Sequence, residues 1–260
     1  SFRNLIGLME NSLPTFPPLL TGHAVSPDTD ARAWATAQAE QGALGAGDIV
    51  WSRDIANLSF ALVLEPDVPR SRCGEILFAG LVAFGDAAGA LGPAENSITY
   101  QWPSAILMND ARIGFADLVI SDEEQDGIPQ WMVLGFDVRI APVTTGIEPG
   151  HEIHSSTMWD EGCGEISHTQ LLESVARHIV NWIHTWSEEG FKPVHQQWQG
   201  RLFAKVPLEP DARGPADHSD DRVLIGLDET GNALVKHGGS TISISVGDAL
   251  ERLRARRGGQ

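Results

Sequence analysis

Only two of the 260 residues are cysteine, Cys73 and Cys163, and they lie far apart in the chain. They can build neither a disulfide framework nor a CxxC metal or redox motif, so a reducing cytoplasm is the expected compartment. Long apolar runs are missing as well. No stretch approaches about 18 uninterrupted apolar residues, and no membrane span is expected. The first residues do not form a signal peptide, because Ile6-Gly7-Leu8-Met9 is closed by Glu10 before an apolar core develops. Positive charge is scarce: 18 Lys+Arg stand against 35 Asp+Glu, a net charge of −17. That balance excludes a nucleic-acid binder held by phosphate neutralisation, and it disfavours docking on acidic partners by long-range attraction. Tyrosine occurs once, Tyr100, against eight tryptophans.

What is present reads as one or two domains with alternating elements. Ser26-Pro27-Asp28-Thr29-Asp30 leads into an alanine-rich helix, Ala31 to Glu40, stopped by Gly42. Asp48 to Trp51 and Leu58 to Leu64 read as strands, the second apolar almost throughout, as for a strand covered on both faces. Ile76 to Leu91 is a second helix whose small residues predict close packing on a sheet. Four strands follow: Ser97 to Trp102, Ile106 to Met108, Ile113 to Ser121 and Gln130 to Ile140. Asn109-Asp110 turns between the second and third, and Asp122 to Gly127 forms a hairpin loop between the third and fourth. The irregular stretch Pro142 to Glu165 is longer than an ordinary connection. Ser167 and Gln170 then have capping-box spacing, and Leu171, Leu172, Val175, Ile179, Ile183 and Trp186 keep one apolar helix face up to Gly190. Pro207 to Asp221 reads as a linker to a small β module of three short strands, Val223 to Asp228, Ala233 to Val235 and Thr241 to Val246. Arg252 to Arg257 reads as a frayed basic helix end.

This order of elements resembles the biotin protein ligase and lipoate protein ligase family from about Leu19 to Leu250. Gln101-Trp102-Pro103-Ser104-Ala105 falls where such ligases carry Lys-Trp-Pro-Asn-Asp, and Ala111-Arg112-Ile113-Gly114 where they carry Arg-Lys-Leu-Ala-Gly. Leu134-Gly135-Phe136-Asp137-Val138 sits at the family's Gly-x-Gly-x-Asn strand. Ser156 to Gly162 resembles its Thr-x-Leu-x-Glu-x-Gly stretch, Glu189-Gly190-Phe191 with Trp198 the segment after the long helix, and Gly226 to Gly231 the hairpin of its C-terminal module. The resemblance implies an α+β fold, a class II synthetase-like mixed sheet with helices, followed by a small SH3-like β module. The expected division is an N-terminal extension, 1–16, too short for a DNA-binding helix-turn-helix; a ligase-like domain, 17–206; and a linker with the β module, 207–260.

Family members join biotin or lipoate to ATP and pass the acyl group to a lysine of a carrier domain. That chemistry needs cations and backbone N–H groups around the α-phosphate, which the family supplies from a Gly- and Arg-rich loop. Here only Ser52 to Asn57 separates the two strands, leaving Arg53 beside Asp54. Arg112 stands where the family has its catalytic lysine. Arginine keeps the charge and can grip an oxyanion with two parallel bonds, but it lacks lysine's compact point charge. The resemblance therefore implies a divergent member that binds a small carboxylate, with adenylation doubtful and ATP, biotin or lipoate as candidate ligands. The candidate ligand-binding set is Trp51, Arg53, Gln101, Trp102, Arg112, Gly114, Gly135 and Asp137, with Trp51 and Trp102 placed to stack at the pocket mouth. A second reading takes Cys163 as the nucleophile of an ATP-independent, octanoyltransferase-like enzyme, activated by Arg112 or His168. A third is a non-enzymatic binding protein. His151, His154, Cys163 and His168 lack the spacing of a zinc site, and no metal is assigned.

Overall fold

The computed structural model describes residues 13–122, 127–142, 155–209, 212 and 222–258. Its centre is a seven-stranded mixed sheet built from β1 (Thr21–Val25), β2 (Asp48–Ser52), β3 (Asn57–Leu64), β4 (Ile98–Gln101), β5 (Ala105–Met108), β6 (Ala111–Ile120) and β7 (Met132–Arg139). The spatial order is β1-β2-β3-β7-β6-β5-β4. Only β1 and β2 run parallel; every other pair is antiparallel. β1 is an edge strand that periodicity alone does not predict, because Gly22 and His23 interrupt its apolar pattern. The His23 ring is hydrogen-bonded to the Asp48 carboxylate of β2 at 2.7 Å.

Helix α1 (Ala31–Glu40) lies on one face of the sheet, with Ala31, Ala35 and Ala39 against Val50, Ala61, Val63 and Val133. Asp30 caps it by accepting the Ala33 N–H. The short α2 (Arg70–Cys73) leads into α3 (Glu75–Leu91). With α4 (His168–Glu189) and α5 (Phe191–Gly200), α3 fills the other face and forms the main core. The stretch Arg70–Leu91 is long and apolar enough to cross a membrane, but 78% of its most apolar window is buried inside the protein, which makes it a core helix. Its small residues act as the composition predicts: a Cβ on Gly80 would stand 2.8 Å from Leu134 and 3.1 Å from Phe136. The one buried charge of α3, Glu75, accepts two bonds from Arg72 and one from the Trp186 indole of α4. That network ties the two largest helices together.

Ser167 and Gln170 form both bonds of the capping box at the start of α4. Between β5 and β6, Asn109 and Asp110 both have positive φ, 50° and 71°, the pattern of a two-residue hairpin turn. Helix α5 lies beyond the Gly190 stop. Phe191, Val194 and Trp198 bury its inner face, and Pro193 sits in the first turn, where its missing N–H costs no helix bond.

A separate three-stranded antiparallel sheet, β8 (Val223–Leu227), β9 (Ala233–His237) and β10 (Ser240–Ile244), follows. It docks on the main domain through the Trp102 indole, which donates to the Gly231 carbonyl. The stretch expected to open the linker is instead fixed. Trp102 and Pro207 to Glu209 exchange backbone bonds, and Leu208, Glu209 and Ala212 are buried. The basic tail is also not frayed. It forms α6 (Val246–Arg257), capped by Ser245, and two of its arginines reach back across the sheet.

Candidate functional site

Strand alternation gives the sheet an apolar face under α3 to α5 and a second face that α1 covers at one end only. On that second face the register lines up Ser59, Asp137, Phe115, Ala105 and Gln101 across β3, β7, β6, β5 and β4. The adjacent row toward α1 is Ala61, Gly135 and Asp117. A bulge between Ile106 and Leu107 pairs Arg112 with Leu107 on the other side of the first row.

These rows are spanned by guanidiniums. Asp117 is 1% exposed and accepts from Arg32 of α1 at 2.6 Å and from two nitrogens of Arg254 of α6 at 2.9 and 3.1 Å. Glu209 is equally buried. It accepts from Arg112 at 2.7 Å and from the backbone and hydroxyl of Ser104, and Arg257 stands 3.7 Å away. The Arg257 guanidinium lies 3.4 Å over the Phe115 ring, a cation–π contact in the middle of the first row. Asp137 lies on this face and is exposed as a residue. Burial of its carboxyl raises its pKa, Asp30 pushes it further up, and Arg32, Arg257 and Arg139 pull it down. This face therefore gathers cations from α1, β6, β7 and α6 around one carboxyl and one aromatic ring.

The expected site residues divide clearly. Gln101, Arg112 and Asp137 do share the open face. Gln101, however, donates to the Val206 carbonyl, and the charge of Arg112 is already met by Glu209. The two glycines serve packing rather than a ligand. At Gly135 a Cβ would stand 3.0–3.1 Å from the Arg32 stem, so its bare backbone is the lane by which Arg32 crosses to Asp117; at Gly114 a Cβ would run into the backbone of Asp137 and Val138. Trp51 and Trp102 do not flank a mouth. Both belong to the core on the helix side, Trp102 fully buried and Trp51 with its ring 6.1 Å from that of His168. Arg53 is exposed, on a turn closed upon itself: the Asp54 carboxylate accepts from the Ala56 N–H and the Asn57 amide, and the Ala56 carbonyl takes the Ile140 and Ala141 N–H groups.

Cys163 lies on the helix side too, 2% exposed, where Asn96 donates to its sulfur at 3.1 Å and Met108 packs against it. Burial pushes its thiol up, Asn96 lowers it and Glu161 raises it. The activating cation is missing from His168, whose buried ring is held neutral by desolvation, its pKa lowered to about 4. Among the described residues no group of three or more His, Cys, Asp or Glu side chains is placed to hold a metal; His151 and His154 lie outside them.

Sequence reasoning missed Arg32, Asp117, Glu209, Arg254 and Arg257. One signal was available. Asp117 is a lone carboxylate in the middle of an apolar strand, a position that requires a buried cation.

Comparison with known proteins agrees with this fold. Curated proteins give no match by sequence. Among solved structures, a biotin protein ligase-like protein of unknown function from Silicibacter sp. TM1040 is 31% identical. The alignment covers 91% of this chain and 99% of that one, with a TM-score of 0.79. A point mutant of the Aquifex aeolicus biotin protein ligase in complex with biotin is 12% identical over 88% of this chain and 97% of its own, TM-score 0.65. The Leishmania major biotin protein ligase in complex with biotin is 15% identical over 88% and 99%, TM-score 0.53. At those identities the two ligases share the fold. The model of the biotin/lipoate A/B protein ligase family matches residues 16–200, most of the chain, and this protein belongs to that family.

Proposed function

We propose that this chain binds a small carboxylate, such as biotin, lipoate or a fatty acyl chain, on the sheet face formed by β3, β7, β6 and β5, and that it no longer adenylates it. The observation that carries the reading is the set of four guanidiniums, Arg32, Arg112, Arg254 and Arg257, converging on one open sheet face of a chain whose net charge is −17. Cations are clustered there against the general acidity, and a guanidinium fork grips a carboxylate, like a phosphate, with two parallel bonds. The half-buried Phe115 ring supplies apolar surface for the chain or ring that follows the carboxylate.

ATP fits these residues poorly. The turn from Ser52 to Asn57 spends its polar groups on itself, and its one cation, Arg53, points to solvent rather than toward this face. A triphosphate would also face the Asp137 and Asp30 carboxylates without a backbone cradle. Acyl transfer through Cys163 draws no support, because the thiol is enclosed on the opposite side of the sheet from the cations. In this reading the protein holds and orients a carboxylate. A carrier domain that is itself acidic would meet long-range repulsion.

Calorimetric titration of biotin, lipoate and octanoate without nucleotide tests the reading. One-to-one binding of at least one of them near micromolar, about −8 kcal/mol, is expected. Absence of heat for all three overturns it.

A further inference from the structure

The layer of charge beneath α6 is unevenly paired. Two buried carboxylates, Asp117 and Glu209, serve four guanidiniums, with Asp30 3.4 Å from Arg32 and Asp137 exposed beside them; the shortest contacts assign Asp117 to Arg32 and Arg254 and Glu209 to Arg112. Arg257 is left over. Its Nη2 is enclosed without a hydrogen-bond partner, 3.7 Å from a Glu209 oxygen that Arg112 already holds at 2.7 Å. Its plane is fixed on the Phe115 ring, so the fork is oriented before any ligand arrives. Burial, with Arg112 and Arg32 close by, pulls the Arg257 pKa down to about 10 against the opposing pull of Glu209 and Asp117.

We infer that α6 completes the anion site: Arg257, laid on Phe115 beside Asp137, takes the carboxylate of the ligand, and an anion bound there holds the C-terminal helix down on the sheet. The inference deepens the carboxylate reading and rests on it for the class of ligand. A planar monoanion suits the site better than phosphate. Asp137 and Asp30 stand beside the same cations and repel a second negative charge, while two parallel N–H···O bonds match a carboxylate edge. Binding at Arg257 and docking of α6 are then one equilibrium, so each strengthens the other by the same factor.

The test follows amide hydrogen exchange of residues 246–257 in the full chain, at matched ionic strength, in chloride, acetate and phosphate. With acetate at about ten times its Kd, exchange across α6 slows about tenfold relative to chloride, and phosphate gives less. Arg257→Gln removes the acetate response, and Arg257→Lys keeps a fraction of it. No slowing in the unsubstituted chain, or equal slowing in Arg257→Gln, overturns the inference. If Arg257→Gln does not fold, an undiminished response in Arg257→Lys overturns it instead. An acetate response that depends on Arg257, alongside no binding of biotin, lipoate or octanoate, removes the larger ligands and leaves the helix its role.

Discussion

Replacing Asp117 with alanine is expected to cost the fold about 3 kcal/mol and to lower its melting temperature by roughly 6–12 °C. The carboxylate is 1% exposed and is the shared acceptor of Arg32 and Arg254, so its loss takes the buried partner from two guanidiniums. Those side chains are 20% and 32% exposed. Water can reach them in part, which places the cost at the lower end of the usual range for breaking a buried pair. Asp117→Asn keeps the shape and one acceptor and recovers part of the loss. Urea unfolding is the check: the midpoint falls for both substitutions, more for alanine, with the slope unchanged. A shift below about 1 kcal/mol for alanine means that neither helix leans on this carboxylate.

Glu209→Gln is expected to move stability and anion affinity in opposite directions. The amide still serves the Ser104 backbone and hydroxyl, but Arg112 loses its charged partner and Arg257 loses the only carboxylate within 4 Å among the described residues. Charge-assisted bonds of this kind contribute about 1.5–3 kcal/mol each, and a stability loss of about 2–3 kcal/mol is expected. The same change removes a buried negative charge beside Arg257, and at an effective dielectric near 20 this raises affinity for a carboxylate by about tenfold or more. A purely structural Glu209 predicts that both quantities fall. Titration with octanoate and thermal unfolding of one preparation separate the two cases.

Much of the scaffold was legible because its signals are local. The bounds of α1, the capping box at Ser167, the turn at Asn109-Asp110 and the small residues of α3 each depend on neighbours a few positions away. Helix α5 was legible in principle, since Phe191, Val194 and Trp198 carry helical spacing, but in the sequence reading the long helix ends at Gly190 and no element is assigned after it. The site was another matter. Arg32 meets Asp117 across 85 positions, Arg112 meets Glu209 across 97, and Arg254 meets Asp117 across 137. No local pattern encodes such pairs; they exist only once the sheet register is set. Glu209 sits in a stretch whose prolines and acids read as a linker, and the periodicity of α6 is weak because its inward arginines look like solvated charge.

The tryptophans show the reverse failure. Resemblance places Trp51 and Trp102 at a pocket mouth facing a flat ligand, yet strand alternation turns both toward the helices. Arg112, placed by the same resemblance, is on the correct face but is already neutralised by Glu209. The scarcity of positive charge takes on a specific meaning here: the chain has few cations, and several of them meet around Asp117 and Glu209 on one sheet face.

Release of pyrophosphate tests the proposed division between a kept carboxylate site and a lost nucleotide site. The full chain is incubated with Mg-ATP and, in turn, biotin, lipoate and octanoate, and pyrophosphate is followed against a reaction without acid. The rate is expected to stay at the acid-free baseline for all three. Acid-dependent release of pyrophosphate, with the matching acyl adenylate detected by mass, contradicts it.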